Sequence, residues 1–94
     1  NQDDILRRNI IQDLMCRFSL DYQIYESVFG IPFSRYFAAE LEDMKQLETL
    51  GLVRLKPHGL TVTPKGRFLI RNIAMVFDYH LRHKETKAKY SQTV

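Results

Sequence analysis
Hydrophobic positions recur at helical spacing along most of the chain and alternate with polar ones over a short stretch in its second half. Ile10, Leu14 and Phe18 repeat every four residues, and Ile11 and Met15 widen that stripe. The pattern predicts a first helix from about Asp4 to Phe18 with one core-facing side. Asp3 or Asp4 is expected to cap it, and both acids suit the positive end of its dipole. A short second helix, about Tyr22 to Phe29, is framed by Asp21 as N-cap and by Gly30, which can supply the left-handed conformation that stops it. Leu20 before that cap can pack on Tyr25 as a hydrophobic staple. A third helix is expected from Pro32 or Phe33 to Leu50, with Pro32 tolerated in the first turn. Phe33, Phe37, Leu41, Met44 and Leu47 form its apolar stripe, Gly51 is its C′ residue, and Leu52 is placed to fold back on the last turn.

In residues 51–67, GLVRLKPHGLTVTPKGR, the period changes to two. Val53 and Leu55 alternate with Arg54 and Lys56, and Leu60 and Val62 with Thr61 and Thr63. Lys56-Pro57-His58-Gly59 suits the turn between the two strands. A fourth helix follows, with Thr63 as N-cap and Pro64 at its first position, ending near Leu81 or Arg82. Phe68, Leu69, Ile70, Ile73, Ala74, Met75, Val76 and Phe77 cover most of its circumference, so burial on nearly every side is expected, and with it a neighbour outside this chain. The predicted fold is mainly α with a small two-stranded β-hairpin: a winged-helix-like domain over residues 1–82, four helices plus a wing. Residues 83–94 form a basic tail with no clear period, expected to be flexible.

Composition bounds this picture without redirecting it. A chain of 94 residues, 45% hydrophobic and 27% charged, suits one globular domain. No apolar run approaches the roughly 18 residues that a spanning helix needs, and no signal-peptide pattern opens the chain. With Cys16 alone there is no internal disulfide, which suits a reducing compartment, and the cytoplasm is the expected location. One thiolate cannot hold an iron–sulfur cluster or a Cys-based zinc site. The opening Asn-Gln-Asp-Asp has no Met, as expected of a piece of a longer protein.

Charge narrows the function. Residues 1–50 carry nine acids against five bases (net −4), and residues 51–94 carry nine bases against two acids (net +7). A winged helix that reads DNA presents its third helix to phosphates. Here that helix has Arg35 and Lys45 against Glu40, Glu42, Asp43 and Glu48. The wing is basic (Arg54, Lys56, Lys65, Arg67), which suits protein contacts as well as nucleic acid. At 100° per residue, Arg67, Arg71, Asp78 and Arg82 fall on one narrow face of the fourth helix, with Asp78 and Arg82 four apart. That face is either the solvated edge of a buried helix or a docking strip whose arginines match carboxylates. His80 and His83 lack a third ligand at a recognised spacing and are expected to be solvent-exposed at a helix end. Cys16, without triad partners, is expected to be a small core or boundary residue.

Three stretches together resemble one family: residues 4–16 with Leu20-Asp21-Tyr22, the run Phe33 to Leu41, and Val62-Thr63-Pro64-Lys65-Gly66-Arg67 followed by residues 69–78 and Leu81-Arg82. They look like the C-terminal domain of the oxygen-independent coproporphyrinogen III oxidases, radical S-adenosylmethionine enzymes of haem biosynthesis. The resemblance implies a parent protein with an N-terminal radical domain that carries a [4Fe–4S] cluster on a three-cysteine motif. That domain cleaves S-adenosylmethionine and oxidatively decarboxylates two propionates of coproporphyrinogen III to vinyl groups, giving protoporphyrinogen IX. It implies that this chain is non-catalytic and packs on the radical domain of the same polypeptide. Arg67, Arg71 and Arg82 are then the residues to dock the domain or steer the porphyrinogen. The alternative is a winged-helix module that binds DNA or another protein.

Overall fold
The computed structural model describes the backbone of residues 1–92 and the side chains of residues 1–81. The elements run α1 (Gln2–Arg17), β1 (Ser19–Asp21), α2 (Tyr22–Phe29), α3 (Phe33–Tyr36), α4 (Ala38–Thr49), β2 (Val53–Lys56), β3 (Gly59–Val62), α5 (Pro64–Arg67) and α6 (Ile70–Gln92). The architecture is mainly helical with a small antiparallel sheet. Among the described residues no helix is long and apolar enough to cross a membrane.

Local chemistry explains most boundaries. Asp21 caps α2 by accepting from the Gln23 amide at 3.0 Å. Gly30 (φ 65°) and Gly51 (φ 78°) both adopt the left-handed conformation expected of them. Thr63 caps α5 by accepting from the Gly66 amide at 3.0 Å, with Pro64 at the first helical position. The cap of α1 is Asn1, whose side chain accepts from the Asp4 amide at 2.9 Å, and not Asp3 or Asp4. Asp3 is thereby released for tertiary contacts.

Four further expectations need correction. The sheet has three strands, in the order β1-β3-β2, both pairs antiparallel, with Leu20 opposite Leu60 and Val53 opposite Val62. Three residues, Ser-Leu-Asp, are too short to show a period of two, so β1 left no pattern in the sequence. The helix expected from Phe33 to Leu50 is broken at Phe37 (φ −106°, ψ 35°) into α3 and α4. The bend drops the Phe37 ring into the core between Phe33 (4.8 Å between centroids) and Phe77 (5.3 Å). The helix expected from Pro64 is likewise two, α5 and α6, because the Leu69 amide bonds the Gly66 carbonyl three residues back. Finally, α6 passes the end expected at Leu81 or Arg82, since Glu85, Lys87 and Ala88 favour helix and no Gly or Pro stops it. The side chains of the expected tail, 83–94, lie outside the described residues.

One core draws on every element but α5: Leu6, Ile10 and Leu14 from α1, Tyr22 and Tyr25 from α2, Phe33, Phe37 and Met44, the sheet residues Leu20, Val53, Leu60 and Val62, and Ile73, Ala74 and Phe77 from α6. Tyr22 stacks on Phe33 at 4.1 Å, so an unbroken aromatic row runs from α2 to α6. The chain leaves α1 for β1 through Phe18 alone, which adopts the left-handed conformation (φ 59°, ψ 26°) that only short polar residues and glycine favour.

Candidate functional site
Two arrangements stand out: a buried charged hub between α1, α4 and α6, and an exposed apolar face on α6. The hub centres on Arg7, which is 4% exposed. Its Nε donates to Asp3 Oδ2 at 2.9 Å, and its Nη1 donates to Glu40 Oε2 at 2.5 Å and to the Phe77 carbonyl at 2.7 Å. The guanidinium also lies 5.0 Å from the centre of the Phe37 ring. Glu40 is 3% exposed, and no side-chain polar atom buried among the described residues lacks a partner. Burial alone would lower the Arg7 pKa, but the hydrogen bonds and charges of Glu40 and Asp3 outweigh it and hold the group above its ordinary value. Tyr36 donates its hydroxyl to Asp3, and burial together with that bond pushes its phenol up to about 12. The hub therefore ties α1, α3, α4 and the first half of α6 through one cation.

The other acids of α4 are also engaged. Glu42 lies 3.3 Å from Lys45, and Glu48 accepts from the Leu55 amide at 2.7 Å. His80 Nε2 lies 2.7 Å from Asp43 Oδ2, a second link between α4 and α6. The expectation that His80 is a free surface residue is thus corrected: it is half-buried and pairs with Asp43. His83 lies outside the described side chains. Cys16 is exposed on α1 and is not a core or boundary residue. A shallow groove of about 330 Å³ beside β2 is lined by Tyr22, Leu41, Glu42, Lys45, Leu55 and Lys56, among others, so it carries both signs of charge.

On the last two helices the structure separates what a continuous helix would align. Arg67 belongs to α5 and lays its guanidinium over the Phe18 ring, 4.5 Å from the centroid. Arg71 is exposed in the first turn of α6. Arg82 lies outside the described side chains. Helix α6 is not buried on nearly every side within this chain. Ile73, Ala74 and Phe77 are buried, whereas Phe68 is 90% exposed, Met75 39% and Tyr79 53%. The physical reason is size: one small core accepts only one face of this helix.

The hub escaped the sequence reading, although a signal was present. At 100° per residue, Arg7 falls on the face of Leu6, Ile10 and Leu14, and Glu40 on that of Met44 and Leu47. Two opposite charges, each set in an apolar stripe, point to a buried pair.

The fold is a mainly helical domain with a small antiparallel sheet, and the first half of its last helix buries Ile73, Ala74 and Phe77 while exposing Met75 and Tyr79. The HemN C-terminal domain model matches residues 1–69, and the chain belongs to that family. It is similar to the oxygen-independent coproporphyrinogen III oxidase of Synechocystis sp., 45% identical over 100% of this chain and 21% of that protein. The Escherichia coli K12 protein of the same name is 42% identical over 99% of this chain and 20% of its own length. Among solved structures, coproporphyrinogen III oxidase (HemN) from Escherichia coli, described as a radical SAM enzyme, superposes with a TM-score of 0.81 at 44% identity. That match covers 85% of this chain and 18% of the neighbour. The chain thus spans about a fifth of the length of the curated relatives it matches.

Proposed function
We propose that this chain is the non-catalytic C-terminal domain of an oxygen-independent coproporphyrinogen III oxidase. The parent polypeptide would convert coproporphyrinogen III to protoporphyrinogen IX in the cytoplasm, as one step of haem biosynthesis. The domain packs on the radical domain of the same polypeptide and closes one side of the cavity that receives the porphyrinogen. The observation that carries this reading is the similarity to these oxidases over essentially the whole chain. A [4Fe–4S] cluster held by three thiolates does not fit the residues present, since Cys16 is the one cysteine. The cluster and S-adenosylmethionine belong to the rest of the parent protein. We read the fold as winged-helix-like, with β2 and β3 as the wing that orients α5 and α6. The DNA-binding alternative draws no support from the relatives or from α4, whose acids are all engaged within the chain.

Arg67, Arg71 and Arg82 are assigned to docking and to steering the carboxylates of the porphyrinogen. The parent reading is tested by anaerobic turnover of coproporphyrinogen III by the full polypeptide with S-adenosylmethionine and a reductant, where absence of vinyl product refutes it. The arginine role is tested by Arg67→Glu with Arg71→Glu in the same polypeptide. A charge-assisted contact contributes about 1.5–3 kcal/mol, so the KM for coproporphyrinogen should rise roughly ten-fold or more. An unchanged KM with a lower Tm leaves these arginines a packing role only.

A further inference from the structure
We propose that the outer face of α6, lined by Phe68, Met75 and Tyr79, is the seam along which a helix from the N-terminal remainder of the polypeptide docks. The proposal rests on the reading above that the chain is one domain of a longer oxidase. Within α6, Asn72, Met75 and Tyr79 follow one another at intervals of three and four, the spacing of a seam between packed helices. Phe68 stands two residues before α6, in the turn that joins it to α5, and is 90% exposed. The buried residues Ile73, Ala74 and Phe77 lie on the opposite side, which gives α6 two apolar faces and this chain a core for only one. Arg71 and Asp78 lie together along one edge of the stripe and bring charges of both signs to it.

The occupant is identified by what else the polypeptide contains. The chain covers 21% of one relative and 20% of another, so about four-fifths of each lies outside it. A tethered surface of that size meets the stripe at an effective concentration of about millimolar, which a separate partner must reach in solution. Contiguous exposed apolar residues are uncommon on a protein that works alone.

Three methionines provide the test. Met15 is 37% exposed, Met75 39% and Met44 fully buried, so in this chain Met15 and Met75 differ little. The full-length protein is exposed to a short pulse of hydrogen peroxide, with free methionine as a dose reference, and each sulfoxide is counted by mass spectrometry. Because oxidation follows exposure, Met75 is expected to react within about two-fold of Met44 and roughly ten-fold more slowly than free methionine. A faster rate at Met75 overturns the proposal. The same measurement is repeated at hundred-fold dilution. Protection that persists supports an intramolecular helix, and protection that disappears assigns the face to a second copy and overturns it. A Phe68→Glu/Tyr79→Glu variant should restore fast oxidation of Met75 while leaving Met44 slow, and a Met75 that stays slow also overturns it. Failure of the parent reading shows separately, as absent porphyrinogen turnover by the same preparation.

Discussion

Replacing Glu40 by Gln should destabilise this domain far more than an ordinary polar substitution. The change keeps the volume and one acceptor oxygen but removes the charge facing Arg7, which is 4% exposed. Two unit charges about 4 Å apart interact by about 4 kcal/mol at an effective dielectric of about 20. Breaking a buried pair typically costs about 3–5 kcal/mol because the remaining charge is left uncompensated. Arg7 retains Asp3 and the Phe77 carbonyl, which places Glu40→Gln near the lower end, about 3 kcal/mol. Domains of this size have stabilities of order 10 kcal/mol, and each kcal/mol shifts Tm by about 4–8 °C, so Tm should fall by roughly 12–24 °C. Urea and thermal unfolding of residues 1–94, followed by circular dichroism at 222 nm, measure both quantities. The companion variant, Arg7→Met with Glu40→Leu, replaces the pair with apolar groups and should lie within about 1 kcal/mol of the parent chain. The reasoning fails if Glu40→Gln costs under about 1 kcal/mol, or if the double variant loses the sum of its two single changes.

Other outcomes follow from single contacts. A Cβ built on Gly66 would lie 2.0 Å from the Leu52 carbonyl oxygen, a backbone atom. Helix propensity alone would have Gly66→Ala gain about 1 kcal/mol, but the clash should cost about 3 kcal/mol and turn this into a net loss near 2 kcal/mol in urea unfolding. Burial pushes the Tyr22 phenol from its ordinary 10.0 up to about 12. The folded chain therefore holds this proton where the unfolded chain releases it. Stability from Tyr22 is complete below pH 10 and is lost as pH rises through 12, up to about 2–3 kcal/mol, and Tyr22→Phe should remove that part of the alkaline loss in denaturant titrations.

The legibility of this fold follows signal length. α2 was readable to the residue because Asp21 and Gly30 mark its ends chemically. The hairpin was readable because eight residues alternate around Pro57-His58. β1 was not, since three residues carry no period and its pairing with β3 is a long-range contact. The turn at Phe18 was hidden for a different reason: its left-handed backbone is of the kind that glycine or asparagine would announce, and the sequence has neither there. The breaks at Phe37 and Phe68 are tertiary. Apolar spacing runs smoothly through both, and the core, by drawing in the Phe37 ring and by closing Gly66 against Leu52, decides where the helix yields. Of the candidate site, the arginines were visible as a row of charges, but that row presumed one continuous helix.

The charge asymmetry takes its meaning from the hydrogen bonds. Eight of the nine acids of residues 1–50 have a side-chain partner within the chain. Asp3 and Glu40 hold Arg7, Asp13 accepts from Tyr25, Asp21 caps α2, and Glu26 and Glu48 accept from the amides of Phe33 and Leu55. Glu42 and Asp43 pair with Lys45 and His80. The acidic half is therefore an internal framework and projects little unpaired charge. The basic half is disposed outward, with Arg54, Lys56, Lys65, Arg67 and Arg71 all exposed. Of the four acids of α4, Glu40 and Asp43 hold Arg7 of α1 and His80 of α6, while Glu48 accepts from β2 and Glu42 pairs with Lys45 on α4 itself. What this fixes in space is the first half of α6, clamped by Arg7 at Phe77 and again by Asp43 at His80. A helix gripped twice on its inner side presents its outer apolar stripe at a set angle, which is the condition a docking seam requires.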